Sequence, residues 1–127
     1  MRRVLLAAGS VALLAAGCGD DDGGGASGPC RDGTAGEVTI VAEDLAWDVD
    51  CVDAVAEQPL VITIDNRDDG VQHNLNLRDA PGSPSTDLEP GPVVQTLEVT
   101  LPAGEYDYIC DIHPNMLGTL RVAPAAG

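Results

Sequence analysis

Lysine and phenylalanine are missing altogether, and one tryptophan, two tyrosines and two histidines are all the rings that 127 residues supply. Positive charge is scarce too: six arginines stand against 21 aspartates and glutamates, a formal net charge of −15. That balance excludes nucleic acid and anionic lipid surfaces as partners, because both are held through basic patches. It leaves room for a partner with a basic docking face, since opposite fields speed association. Plain solubility at high acidity explains the same charge. With so few rings, the core must be built from Val, Ile, Leu and Ala. No apolar run reaches the ~20 residues of a stable membrane span. There is neither a long amphipathic helix nor an internal repeat. The length suits one domain. A domain this small is marginal by surface-to-volume scaling, so a covalent or metal staple is expected.

The first 17 residues read as a targeting segment. Arg2 and Arg3 precede a run of Val, Leu, Ala and Gly that is too short to span a bilayer and fits a signal peptide. The run ends in Leu14-Ala15-Ala16-Gly17-Cys18. This resembles the lipobox of bacterial lipoproteins, with Ala15 where Leu is commoner. The resemblance implies lipidation of Cys18 and an extracytoplasmic protein anchored to the bacterial cell membrane by lipid. Removal of the segment leaves four arginines against all 21 acids, a net charge of −17. Residues 18–29 are rich in Asp and Gly, without apolar periodicity. Such a stretch cannot bury enough surface to offset its ordering entropy, and it reads as a flexible tether. The folded domain is assigned to residues 30–127.

Within that domain, apolar and polar residues alternate in short runs: Glu37–Val41, Leu60–Asp65, His73–Leu77, Val93–Leu101, Tyr106–Cys110 and Gly118–Val122. Turn chemistry separates them, as in Asn66–Gly70 and Pro102–Gly104. Asp79–Pro92 reads as one long loop rich in Pro, Gly and Ser. The pattern predicts an all-β sandwich.

Chemistry concentrates in Tyr108–Gly118. Cys110, His113 and Met116 supply a thiolate, an imidazole and a thioether at the spacing Cys-x2-His-x2-Met, expected on a loop between two strands. Soft sulfur with imidazole favours copper, and two His with one Cys and a weak axial Met define a blue-copper electron-transfer site. The second imidazole must be His73, the one remaining histidine. A rigid compromise between the preferences of copper(I) and copper(II) limits reorganisation on electron transfer. Leu75, Ile112 and Leu117 are the residues expected to keep water out. A zinc site made from Cys110, His73, His113 and a carboxylate would leave Met116 without a purpose.

These residues resemble the cupredoxin (type 1 blue copper) family. The ligand loop is similar to that of its amicyanin branch, with Pro114 directly after the His and Gly118 two residues after the Met. Gly70-Val71-Gln72-His73-Asn74 is similar to the Gly-x-x-His-Asn motif of small bacterial cupredoxin-like domains. The resemblance covers residues ~37–123 and implies a Greek-key β-sandwich with one copper at one end. It implies His73, Cys110 and His113 as equatorial ligands, Met116 as axial ligand and His113 as the more exposed electron port. It also implies that Asn74 holds the ligand loops together and hydrogen-bonds toward the Cys sulfur. The near absence of an aromatic core departs from the family.

With Cys18 assigned to lipid and Cys110 to metal, Cys30 and Cys51 remain as an even pair for a disulfide in an oxidising compartment. A two-Cys binuclear copper centre would need both cysteines on the ligand loop, which holds one. The expected function is single-electron transfer between redox partner proteins, by a monomer. The alternative is a copper-handling lipoprotein with the same ligands, serving an oxidase or copper tolerance. A copper enzyme needs a second, His-rich site, and both histidines are already used.

Overall fold

The structure, a computed structural model, describes residues 29–125; the targeting segment, Cys18 and nearly all of the tether lie outside the described residues. Eleven strands and no helix are found among them. One sheet has five strands in the order β1(Arg31–Asp32), β4(Cys51–Val55), β11(His113–Ala123), β10(Gly104–Cys110), β7(Asn76–Leu77). The other has four, ordered β3(Ala46–Trp47), β2(Glu37–Glu43), β5(Leu60–Asn66), β9(Val93–Val99). A small pair, β6(Gln72–His73) with β8(Glu89–Pro90), sits between them in sequence. β2 pairs parallel with β5, and β4 parallel with β11, so the chain crosses between sheets as a Greek-key sandwich requires.

The alternation in sequence decides which face is buried. Val38, Ile40 and Ala42 of β2 point inward, as do Leu60, Ile62 and Ile64 of β5, Val52 and Ala54 of β4, and Leu120 and Val122 of β11. Apart from Ala42, these residues meet in one cluster that also takes in Tyr106 and Tyr108. Transfer of that surface from water, at roughly 25 cal/mol per Å², is what holds the two sheets together.

Two departures from the sequence reading matter for the site. The run His73–Leu77 is not one strand: it is broken at Asn74-Leu75, both buried. There the chain leaves β8 and joins β10, where Asn76 pairs with Ile109. The backbone groups freed at the break are satisfied by Thr86, whose Oγ1 accepts from the Leu75 N–H at 2.9 Å and whose N–H donates to the Leu75 carbonyl at 3.0 Å. Residues 79–92 are therefore not a plain loop, since they carry β8 and this buried anchor. The second departure is the ligand segment. Strand β11 begins at His113, leaving only Asp111 and Ile112 as a turn, so the ligands lie on a tight hairpin.

Cys30 and Cys51 form a disulfide, with Cα atoms 4.7 Å apart. It pins the residue before β1 to the head of β4. With a sequence separation of 21, closure of this loop contributes about 3 kcal/mol in the chain-entropy account. All four arginines of the described residues are paired with acids: Arg31 with Asp48, Arg67 with Asp65, Arg78 with Asp107 and Arg121 with Asp53.

Candidate metal centre

The elements converge on one end of the sandwich. Strand β5 ends at Asn66, whose buried side chain organises the turn that follows. Its Oδ1 accepts from the Asp68 N–H at 2.9 Å, and its Nδ2 donates to the carbonyls of Val71 and Glu89 at 2.9 and 3.0 Å. The turn closes with the Val71 N–H donating to the Asp68 carbonyl, and Gly70 takes the φ of +74° that an L side chain resists. His73 is thereby delivered into the interior, 1% exposed.

From the other sheet, β10 ends at Cys110, fully buried, and the register shifts at Ile109/Cys110 so that Cys110 faces His113. Such an irregularity re-aims side chains at a sheet end. The His73 and His113 Nδ1 atoms lie 3.8 and 3.5 Å from Cys110 Sγ, and the two rings meet edge to face with centroids 4.9 Å apart. The donor atoms of His73, Cys110 and His113 all lie within 4.8 Å of one another. Met116, 1% exposed, packs with Cys110 and Ala42 in a separate small cluster beneath them. His113 is half-buried, while His73 is enclosed. One cysteine sulfur and two imidazoles that converge, with a buried thioether packed against the cysteine, match the donor set of a type 1 copper site.

Sequence reasoning missed Asp68. Its Oδ2 lies 2.7 Å from His73 Nε2 and accepts the Leu45 N–H at 3.0 Å, while its Oδ1 accepts the Asp44 N–H at 2.7 Å. Burial pushes this carboxyl up, but the hydrogen bonds from His73, Leu45 and Asp44 outweigh it and hold it below the ordinary carboxylate value. A carboxylate on the far nitrogen fixes the tautomer and orientation of a metal-binding imidazole, leaving Nδ1 free to ligate. Asp44 and Leu45, with φ of 56° and 58°, form the β2–β3 turn in a conformation that non-glycine residues rarely take. Asp68 holds that turn from one side, and Asn115 Nδ2 donates to the Leu45 carbonyl from the other at 3.3 Å.

The enclosing shell also differs from expectation. Leu75 is buried, but Ile112 and Leu117 are each 48% exposed. Residues two apart share a strand face, so Met116 pointing inward sends Leu117 outward, and Ile112 sits in the turn. Water is instead kept from the sulfurs by Ala42 and by Trp47, which pairs with Ala42 and packs against the cluster that Ala42 forms with Cys110 and Met116. Trp47 meets Tyr108 edge-on at 5.9 Å. Burial, with Asp50 adding to it, pushes the Tyr108 phenol well up, so it stays a neutral donor to the Val49 carbonyl at 2.6 Å. The Asn74 amide directs its hydrogen bonds to Asp111 and not to the sulfur.

Comparison with known proteins agrees with this fold. No curated protein matches the chain. Among solved structures, reduced auracyanin from Roseiflexus castenholzii is similar at 21% identity and a TM-score of 0.61, over 79% of this chain and 100% of that one. Auracyanin A from Chloroflexus aurantiacus, described as a "blue" copper protein, is similar at 25% identity and a TM-score of 0.54, over 68% and 97% of the two chains. A variant of amicyanin in its reduced copper(I) form gives 22% and 0.56, over 68% and 82%. A family model described as the cupredoxin-like domain matches residues 8–122. A match over that much of the sequence places this protein in the cupredoxin-like family.

Proposed function

We propose that the protein is an extracytoplasmic blue-copper electron carrier, holding one copper ion through His73, Cys110, His113 and Met116. The observation that carries this reading is the convergence of three donor atoms within 4.8 Å at the sandwich end, above a buried thioether. Copper, when bound, supplies a one-electron couple.

The chain's own residues do the rest. His73 offers Nδ1 while Asp68 holds Nε2, so the imidazole is oriented in advance. Cys110 offers its sulfur from a rigid strand end, and Ala42 and Trp47 exclude water from it. Such enclosure limits the solvent and ligand rearrangement that accompanies a change of charge. His113 is the half-buried donor, and its ring is the natural port for electrons, with exposed Ile112 preceding it in the turn. The described arginines are all neutralised by acids, so the surface presents excess negative charge to a redox partner with a basic docking face.

The enclosed donor set favours an electron carrier over an enzyme or a copper-delivery protein. Copper-loaded protein is expected to be intensely coloured and to keep its metal through repeated redox cycles beside a competing copper(I) chelator. A colourless copper(II) form would sink the blue-copper reading. Loss of copper at each reduction would favour copper handling.

Residues 1–17 are proposed as the signal peptide, 18–29 as the tether and 30–127 as the domain, with Cys18 lipidated as the new N-terminus. Protein extracted from membranes should then start at Cys18 and carry the mass of its acyl chains. A soluble form that begins beyond Cys18 would count against the anchor.

A further inference from the structure

Asp111 follows Cys110 and opens the turn to His113. Its backbone N–H donates to Asn74 Oδ1 at 2.9 Å, its Oδ2 accepts from Asn74 Nδ2 at 2.9 Å, and its Oδ1 accepts from Asn76 Nδ2 at 3.0 Å. Asn74 and Asn76 flank Leu75 at the break between β6 and β7, directly after His73. Two amide NH2 groups thus point at the two oxygens of one side chain. Asn76 makes this contact although its own Oδ1 is buried without a partner.

We propose that Asp111 is a positioning residue: the two-amide cradle of Asn74 and Asn76 demands a carboxylate at this place, and the fixed negative charge beside Cys110 lowers the reduction potential of the centre. The second half rests on the blue-copper reading; the first does not.

The demand follows from donor counting. A carboxylate has two acceptor oxygens and no donor, whereas an amide has one of each. Asparagine at position 111 would satisfy one cradle amide and turn its own NH2 against the other. Asn74 is buried, so its NH2 cannot turn to water instead, and its other contact, to the Thr86 carbonyl, is long at 3.5 Å. The cradle also joins the segment bearing His73 to the hairpin bearing Cys110 and His113, so the carboxylate fixes their relative placement. As to charge, copper(II) carries one more positive charge than copper(I), and a nearby anion favours the oxidised form.

The test uses the full chain with its disulfide intact and compares Asp111→Asn with the swap Asp111→Asn/Asn76→Asp. In the swap, the amide at position 111 presents its oxygen to Asn74 and its NH2 to a carboxylate at position 76, so both donors of the cradle again have acceptors, while the second oxygen at position 76 stays unpartnered as Asn76 Oδ1 already is. In metal-free protein, urea unfolding should show the single variant losing about tenfold in its folding equilibrium constant, and the swap recovering most of it. In copper-loaded protein, Asp111→Asn should raise the potential, shifting exchange with a fixed mediator about tenfold, or about 59 mV for a one-electron couple. Unchanged stability in the single variant, or no recovery in the swap, overturns the cradle. An unchanged potential with the visible band intact overturns the charge effect, which a merely structural residue would not produce. A colourless wild-type protein overturns the blue-copper reading instead, and the unfolding data still decide the cradle.

Discussion

Cys110→Ser is expected to abolish the intense visible band of the copper-loaded protein and to weaken copper binding by more than ~100-fold, the upper range for losing even an outer-shell partner. The sulfur is fully buried, and both imidazole Nδ1 atoms converge on it at 3.8 and 3.5 Å. It is the one free thiol of the described residues. A serine hydroxyl is smaller and harder, and it does not give up its proton near neutral pH, so neither the colour nor the soft-metal preference survives. Absorbance titration with copper(II) measures both quantities. A variant that keeps the band would show that the thiolate is not the source of colour.

Gly118→Ala should be the most damaging single methyl group in the fold, costing about 3 kcal/mol of stability, at the upper end of ordinary overpacking. Gly118 pairs directly across the ladder from Tyr108. A Cβ there would lie inside the ring of Tyr108, against Cζ, Cε2 and Oη. The ring cannot step aside: it is 1% exposed, its hydroxyl is bonded to the Val49 carbonyl and it packs in a T-shaped pair with Trp47. Because Trp47 packs against the cluster of Ala42, Cys110 and Met116, the disturbance should also reach the metal centre. The urea midpoint and the shape of the visible band report the two consequences. Coincident unfolding curves for variant and wild type would refute the packing argument.

Much of this architecture was legible in the sequence, for reasons that differ by element. β2 and β5 are seven-residue alternating runs with one buried face, and β9 alternates between half-buried and exposed, so period two is all that is needed to find them; β10 alternates only at its start and ends buried on both faces at Tyr108–Cys110. β4 also alternates, with Val52 and Ala54 inward, but it has only five residues, two small or modest inward side chains and acidic residues at 50 and 53, so period two alone does not single it out. β1, β3 and β8 have two residues each and leave no periodicity to read. The broken strand at Asn74-Leu75 depends on Thr86, which no local pattern connects to it.

The same division holds at the site. Four donors of unusual chemistry stand out in any sequence, because His, Met and Cys are rare here. Asp68 and Asp111 do not stand out among 21 acids. What distinguishes them is a turn geometry and a pair of amides, both products of tertiary structure. Ile112 and Leu117 were misplaced because the hairpin is tighter than the assumed loop, and the parity of a strand, once it starts at His113, sends Leu117 outward.

The place of β11 in its sheet has a consequence for how the protein is made. This strand carries His113 and Met116, yet it is flanked by β10 on one side and β4 on the other, joining residues 119–123 to residues 51–55. Such distant pairings form slowly, since a large loop must close before any contact rewards it. A nascent chain therefore cannot assemble the donor set piecemeal. Until the final strand is seated, Cys110 is a third thiol competing for the partner that Cys30 or Cys51 needs, and afterwards it is sealed inside. Metal loading thus waits on the seating of the last strand, which brings His113 and Met116 to Cys110.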